Sequence, residues 1–132
     1  MLTSRTEIRV YFEDTDFTGR VYHGAFVRFL ERARTECLRA RGVDHHNLAN
    51  SARPAFFTIR SLSLKFSGPA MIDDLLVVES EPGGQRAILT FRQRVLREGR
   101  VIVTADVELC MIDGAGRPVR PPPEIVALMH GS

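Results

Sequence analysis

The sequence predicts one α+β domain, with a single long helix lying against an antiparallel sheet. Three observations point there. A strand-like stretch, Thr6 to Phe12, leads through a polar loop into one extended amphipathic helix. Four more strand-like stretches follow, joined by turns short enough to favour antiparallel pairing. Helices do not alternate with these strands, which disfavours a doubly wound parallel sheet. The expected architecture is a five-stranded sheet curled around the helix. Residues 1–132 read as one domain by length.

Each element has its own reason. In TEIRVYF, Ile8, Val10 and Phe12 alternate with Glu7, Arg9 and Tyr11, the pattern of a half-buried strand. Glu13 to Val21 is polar and contains Gly19, which can adopt a backbone angle that other residues avoid. From Tyr22 to Arg41, the residues Phe26, Phe29, Leu30, Ala33, Cys37 and Leu38 recur at three- and four-residue steps and define one apolar stripe. Arg28, Arg32, Arg34 and Arg39 are assigned to a solvated face or to contacts between subunits, with Arg32 placed to pair with Glu36. Gly42 suits the helix stop. Val43 to Pro54 is a linker with room for one helical turn.

The remaining strands are expected at Phe56 to Phe66, Asp74 to Glu81, Ala87 to Leu96 and Val101 to Met111. Their breaks are Ser67-Gly68-Pro69-Ala70, Pro82-Gly83-Gly84, Arg97-Glu98-Gly99 and Asp113-Gly114-Ala115-Gly116. A short helix, Glu124 to Met129, closes the chain after three prolines.

Composition narrows the function. The net charge is +2, from 18 basic and 16 acidic residues, too small an excess to argue for nucleic acid. The two cysteines, Cys37 and Cys110, do not form a disulfide framework and read as reduced thiols. The first residues lack an apolar signal core, and no run is long enough for a membrane span, so cytoplasmic localisation without membrane insertion is the expectation.

The chemistry concentrates ahead of the helix, where Asp14, Asp16, Gly19 and His23 stand together. A helix start offers unpaired N–H groups that can polarise a carbonyl oxygen, and a nearby carboxylate can act on the carbon or on a water. Asp16 is the candidate carboxylate; its plainer role is to complement the helix dipole or shape a turn. Asp14 and Glu13 read as surface or loop-fixing acids. His23 either presents its backbone N–H to an oxyanion or caps the first turn. Tyr22 is expected to pack rather than react. A calcium loop beginning at Asp14 fails because Ala25 falls where the bidentate acid is needed. His45-His46 lacks metal-ligand spacing, so no metal or redox cofactor is expected. Arg60, Lys65, Arg86, Arg92 and Arg94 lie on or beside strands, where any of them can meet a phosphate.

These residues carry a resemblance. Glu13-Asp14-Thr15-Asp16, Gly19, Val21-Tyr22-His23 and Phe29 to Arg34 (FLERAR) resemble the signature of hotdog-fold acyl-CoA thioesterases. The nearest type is the YbgC-like, Tol-Pal-associated group of the 4-hydroxybenzoyl-CoA thioesterase superfamily. Pro69-Ala70 with Asp73-Asp74, and Cys110 to Asp113, match later elements of that pattern in order. The resemblance implies a five-stranded antiparallel sheet around one helix. It also implies a dimer or tetramer with sites between subunits, and hydrolysis of acyl-CoA or of an acyl carrier protein thioester. Asp16 takes the position of the catalytic carboxylate, and the His23 N–H that of the carbonyl-polarising donor. Tyr22, Gly24, Arg60, Lys65 and Arg86 are the expected substrate contacts. Arg20, Phe66-Ser67-Gly68 and Met71 depart from the family pattern around the substrate. A non-catalytic acyl-CoA-binding protein is the alternative reading. A dehydratase is disfavoured because the helix from Gly24 onward holds no histidine.

Overall fold

A computed structural model describes residues 3–129. The elements run β1 (Ser4–Arg9), α1 (His23–Ala40), α2 (His45–Ala49), β2 (Phe56–Phe66), β3 (Leu75–Gln85), β4 (Ile88–Arg97), β5 (Arg100–Ile112), β6 (Pro118–Val119) and α3 (Pro123–Met129). The main sheet order is β1-β3-β4-β5-β2, antiparallel throughout, with β6 pairing to the end of β5. The α+β expectation holds. A sixth, two-residue strand joins the five expected, made where Val119 pairs with Met111 after the Asp113 to Gly116 turn.

Helix α1 lies along the inner face of the sheet because its stripe is apolar at the right steps. Ala25, Phe26, Phe29, Leu30, Ala33, Cys37 and Leu38 are all buried. Phe29 is wholly inaccessible, and burying such a ring stabilises the fold by about 2–3 kcal/mol. The first half of α1 packs with Ile8, Val78, Val95 and Val103, and the second half with Leu89, Phe91, Met111 and Ile125. Between these two cores lies a polar seam of Arg34, Ser80 and Gln93, all buried.

Several boundaries differ from the sequence reading. Phe12 does not continue β1: it is 80% exposed, because the chain leaves the sheet in a single 3-10 turn at Phe12–Asp14. Strand β3 runs through Pro82-Gly83-Gly84, and the turn falls at Arg86-Ala87, leaving Ala87 exposed. Proline is tolerated there because β1 pairs only with Leu75 to Ser80, so Pro82 faces no strand on that side. In β5 both Ile102 and Val103 are buried, because a bulge against Val95/Leu96 breaks the alternation. Glu36 pairs with Arg39 at 3.4 Å rather than with Arg32. No helix of the described residues is long and apolar enough to cross a membrane.

Strand β2 is one edge of the main sheet, opposite β1, and is 11 residues long. The helix side of this strand is apolar. Phe66 meets the Phe26 ring at 5.8 Å, Leu64 packs on the first core, and Phe57 packs on the second. The sheet extends past the cover of α1, so Ile59 is 45%, Leu62 37% and Phe66 50% exposed.

Candidate active site

The loop before α1 is a small hairpin built by local chemistry. Thr15 bridges to Val21, and the Asp16 N–H donates to the Arg20 carbonyl at 2.9 Å. Gly19 closes the turn at φ +80°, the left-handed region that glycine enters without steric cost. At its tip the Asp16 carboxylate accepts from the Thr18 N–H at 2.8 Å and the Thr18 hydroxyl at 2.6 Å, through the same oxygen, Oδ1. The other oxygen, Oδ2, receives no hydrogen bond among the described residues and faces solvent.

Asp14 anchors this hairpin to the fold. It is 3% exposed, accepts from the Tyr11 N–H at 2.8 Å and from the Arg28 guanidinium at 3.3 Å, and its carbonyl accepts from the Tyr22 N–H at 2.9 Å. The sequence alone assigns it a surface or loop-fixing role; in the fold it sits at the junction of loop, β1 and helix. Asp14→Ala takes the acceptor from the part-buried Tyr11 N–H and the partner from the Arg28 guanidinium. It should cost about 1–3 kcal/mol and lower the melting temperature by several degrees, read by calorimetry. An unchanged transition would contradict this role.

The start of α1 is open. Tyr22 is the N-cap residue, extended at ψ 135°, and no side chain caps the helix. The Ala25 N–H turns back to the Tyr22 carbonyl, whereas the N–H groups of His23 and Gly24 have no acceptor among the described residues. Two free N–H groups at a helix start, at the positive end of its dipole, are suited to a partly negative oxygen. The Tyr22 ring lies 4.3 Å from that of His23 and folds across Gly24, where a Cβ would come within 2.5 Å of it. Glycine at 24 therefore leaves the helix start uncovered by its own side chain.

Electrostatics set the charge state of Asp16. The Thr18 hydroxyl holds its pKa below the usual 3.8. The Thr18 N–H adds to this, the charges of His23 and Arg20 add a little more, and slight desolvation opposes them. The group is therefore a carboxylate over the whole physiological range. Thr18→Val removes the largest cause, so the acid limb of kcat/KM should move to higher pH, toward the ordinary carboxylate value. A pH–rate profile with an unmoved limb would disconnect Asp16 from the rate.

The structure brings Asp16, Tyr22, His23 and Gly24 together, but it spreads the basic residues. Lys65 is exposed beside Phe66, at the same end as the helix start. Arg60 sits at a bulge in the middle of β2. Arg86 is in the β3–β4 turn at φ 61°, next to strand residues that pack against the last turns of α1, so it lies at the opposite end of its own chain. Two cavities flank α1, one against β1 and one against β2, and neither is lined by Asp16 or His23. Within one chain the site is a surface feature. The described residues contain no cluster that could hold a metal ion.

The family model "Thioesterase superfamily" matches residues 18–104. "Acyl-CoA thioesterase YbgC" of Haemophilus influenzae is 38% identical over 125 residues, 93% of this chain and 91% of that one. "Acyl-CoA thioester hydrolase YbgC" of Escherichia coli O157:H7 is 38% identical over 114 residues, covering 83% and 81%. Among solved structures, a probable thioesterase from Bartonella henselae superposes with TM-score 0.88 at 37% identity, covering 91% of this chain and 99% of that one. The 4-hydroxybenzoyl-CoA thioesterase of Pseudomonas sp. strain CBS-3 shares the fold, with TM-score 0.87 at 21% identity over 97% of this chain and 99% of that one. The match over most of the chain and the sheet that wraps α1 agree: this chain is a member of the thioesterase superfamily, with the hotdog fold.

Proposed function

We propose that this chain hydrolyses acyl-CoA thioesters to a free acid and CoA, at a site completed by a second copy of the chain. The observation that carries the reading is the presence of an Asp16 carboxylate, its pKa held low by Thr18, beside two unpartnered N–H groups, of His23 and Gly24, at the start of α1. Curated relatives named as acyl-CoA thioesterases support it.

The thioester oxygen accepts from the His23 and Gly24 N–H groups, which stabilise the charge it gains as the carbonyl carbon becomes tetrahedral. Asp16 then works by one of two routes. As general base it takes a proton from water while the water oxygen bonds to the carbonyl carbon; the C–S bond breaks and the proton passes to the departing thiolate. As nucleophile its oxygen bonds the carbon directly, the thiolate leaves, and water opens the resulting anhydride. Neither route calls on a metal or redox cofactor. Hydrolysis in oxygen-18 water under single turnover separates them, because the nucleophilic route can place solvent oxygen in Asp16.

The second copy follows from β2. A long apolar edge strand with its backbone unpaired is a template for another strand. The uncovered Ile59, Leu62 and Phe66 match a symmetric partner presenting the same residues. Antiparallel pairing of β2 with its copy sets the Phe66 end of one strand beside the Phe56 end of the other. The helix start and Asp16 hairpin of one copy, which lie at the Phe66 end, then face Phe57 and Thr58 of the second. This gives Asp16 the walls it lacks in a single chain. A dimer is the smallest active unit, and pairing of dimers into a tetramer adds to it without changing the site. Lys65 and Arg60, exposed on β2, are the cations we assign to the CoA phosphates, and Arg86 can contribute only from another copy. An acyl carrier protein would deliver the same thioester. Cys37 and Cys110 are free thiols, in keeping with the reducing cytoplasm where we place the reaction.

The test is release of CoA from a panel of acyl-CoA substrates, followed by thiol titration. Turnover of at least one class is expected. Binding of every acyl-CoA without turnover would favour the non-catalytic alternative and overturn the hydrolase reading.

A further inference from the structure

Arg34 is the one charged side chain on the buried stripe of α1 among the described residues, and it is 6% exposed. Its Nη1 donates to Gln93 Oε1 at 3.1 Å. Gln93 is itself fixed, its Nε2 donating to the Leu30 carbonyl at 3.0 Å and the Ser80 hydroxyl at 2.9 Å. The guanidinium therefore leans on a neutral amide whose orientation is locked. Among the described residues no carboxylate forms an ion pair with Arg34, and Glu31 reaches it only through its field. Burial lowers the Arg34 pKa, the direction expected for a cation short of counter-charge. A guanidinium has five N–H donors in a planar fork that matches a carboxylate, and a lone amide oxygen leaves most of them unused.

Arg34 also lines the cavity between α1 and β2, of about 320 Å³. Leu38, Phe57 and Ile59 supply apolar wall, and Thr35 and Thr58 add hydroxyls. Glu31 and His45 stand at the same cavity, His45 held against the Phe57 ring at 5.7 Å and near the Thr35 hydroxyl at 3.4 Å. The cavity lies toward the Phe56 end of β2, the end that antiparallel pairing sets beside the Asp16 hairpin of the other copy.

We propose that this cavity receives the acyl group of the thioester held at the second copy's Asp16, and that Arg34 selects acyl groups ending in a carboxylate. The inference rests on the hydrolase reading. Apolar walls hold the methylenes, and the distal carboxylate supplies the counter-charge that the fold withholds from Arg34.

The test compares butanoyl- with succinyl-CoA and hexanoyl- with adipoyl-CoA, using wild type, Arg34→Met and Arg34→Lys, with thermal melts as a check on folding. In wild type the carboxylate-ended member of at least one pair should have the higher kcat/KM. Arg34→Met should lower the ratio of carboxylate-ended to methyl-ended kcat/KM by about ten- to a hundredfold, with Arg34→Lys in between. Should Arg34→Met fail to fold, product inhibition of wild type decides: free succinate or adipate should inhibit more strongly than butanoate or hexanoate. A wild-type preference for methyl-ended chains in both pairs, or a ratio indifferent to residue 34, overturns the role of Arg34 while hydrolysis stands. Absence of turnover on every thioester overturns the hydrolase reading, and this inference with it.

Discussion

Asp16→Asn should abolish thioester hydrolysis to within a small residue, a loss of at least about a thousandfold in kcat. The size follows from the geometry. Asp16 is fully exposed in one chain, its Oδ1 engaged by Thr18 and its Oδ2 free. Asp14 is not free to take over, since it is buried and already engaged by the Tyr11 N–H and Arg28. Asparagine keeps the size and the acceptor oxygen, so the Thr18 turn survives and the fold should melt as before. It cannot take a proton from water, nor attack a carbonyl as a carboxylate does. KM should change little, because the His23 and Gly24 N–H groups and the remaining substrate contacts are intact. CoA release followed by thiol titration reads the result directly. Turnover near the wild-type rate would remove Asp16 from the mechanism.

The second large effect belongs to the sheet edge. Leu62→Glu should convert the assembly to monomers and lower kcat/KM by at least about a hundredfold, because the substrate loses the walls supplied by the other copy. Leu62 is 37% exposed on the helix side of β2, close to the middle of the strand. A two-fold axis near that point brings the two residues 62 together, so one substitution sets two carboxylates against each other. In the isolated chain a glutamate there is tolerated, since the side chain already meets solvent. Light scattering should show the loss of mass and calorimetry a chain that still unfolds cooperatively. A Leu62→Glu monomer with full activity would contradict the shared site.

Much of this is legible in the sequence because the signals are local and periodic. The α1 stripe follows from spacing alone, and each of its six named residues is buried. The polar loop that carries Asp16 follows from residue type and from its place before a helix, whereas its folding into a hairpin through the Thr15–Val21 bridge does not. What escapes the sequence requires knowing neighbours across the sheet. Phe12 fits an alternating strand, but the bond from the Tyr11 N–H to Asp14 folds the chain away first. Pro82-Gly83-Gly84 looks like a turn only until one knows that β1 stops short of it. Arg34 is the most instructive case. It stands four residues from both Leu30 and Leu38, within the apolar stripe, yet its charge assigns it to the surface. Position, not residue type, is the correct guide, and the signal is already in the spacing. Gln93, on the inward face of β4 among Leu89, Phe91 and Val95, is the matching clue on the sheet.

The most direct measurement is a crystal structure of the Asp16→Asn protein with a bound acyl-CoA. The thioester oxygen should lie about 3 Å from the His23 and Gly24 N–H groups, with the substituted amide side chain beside the carbonyl carbon and the acyl group entering the cavity of the other copy. A thioester bound away from the start of α1, or enclosed by one chain alone, would contradict the account.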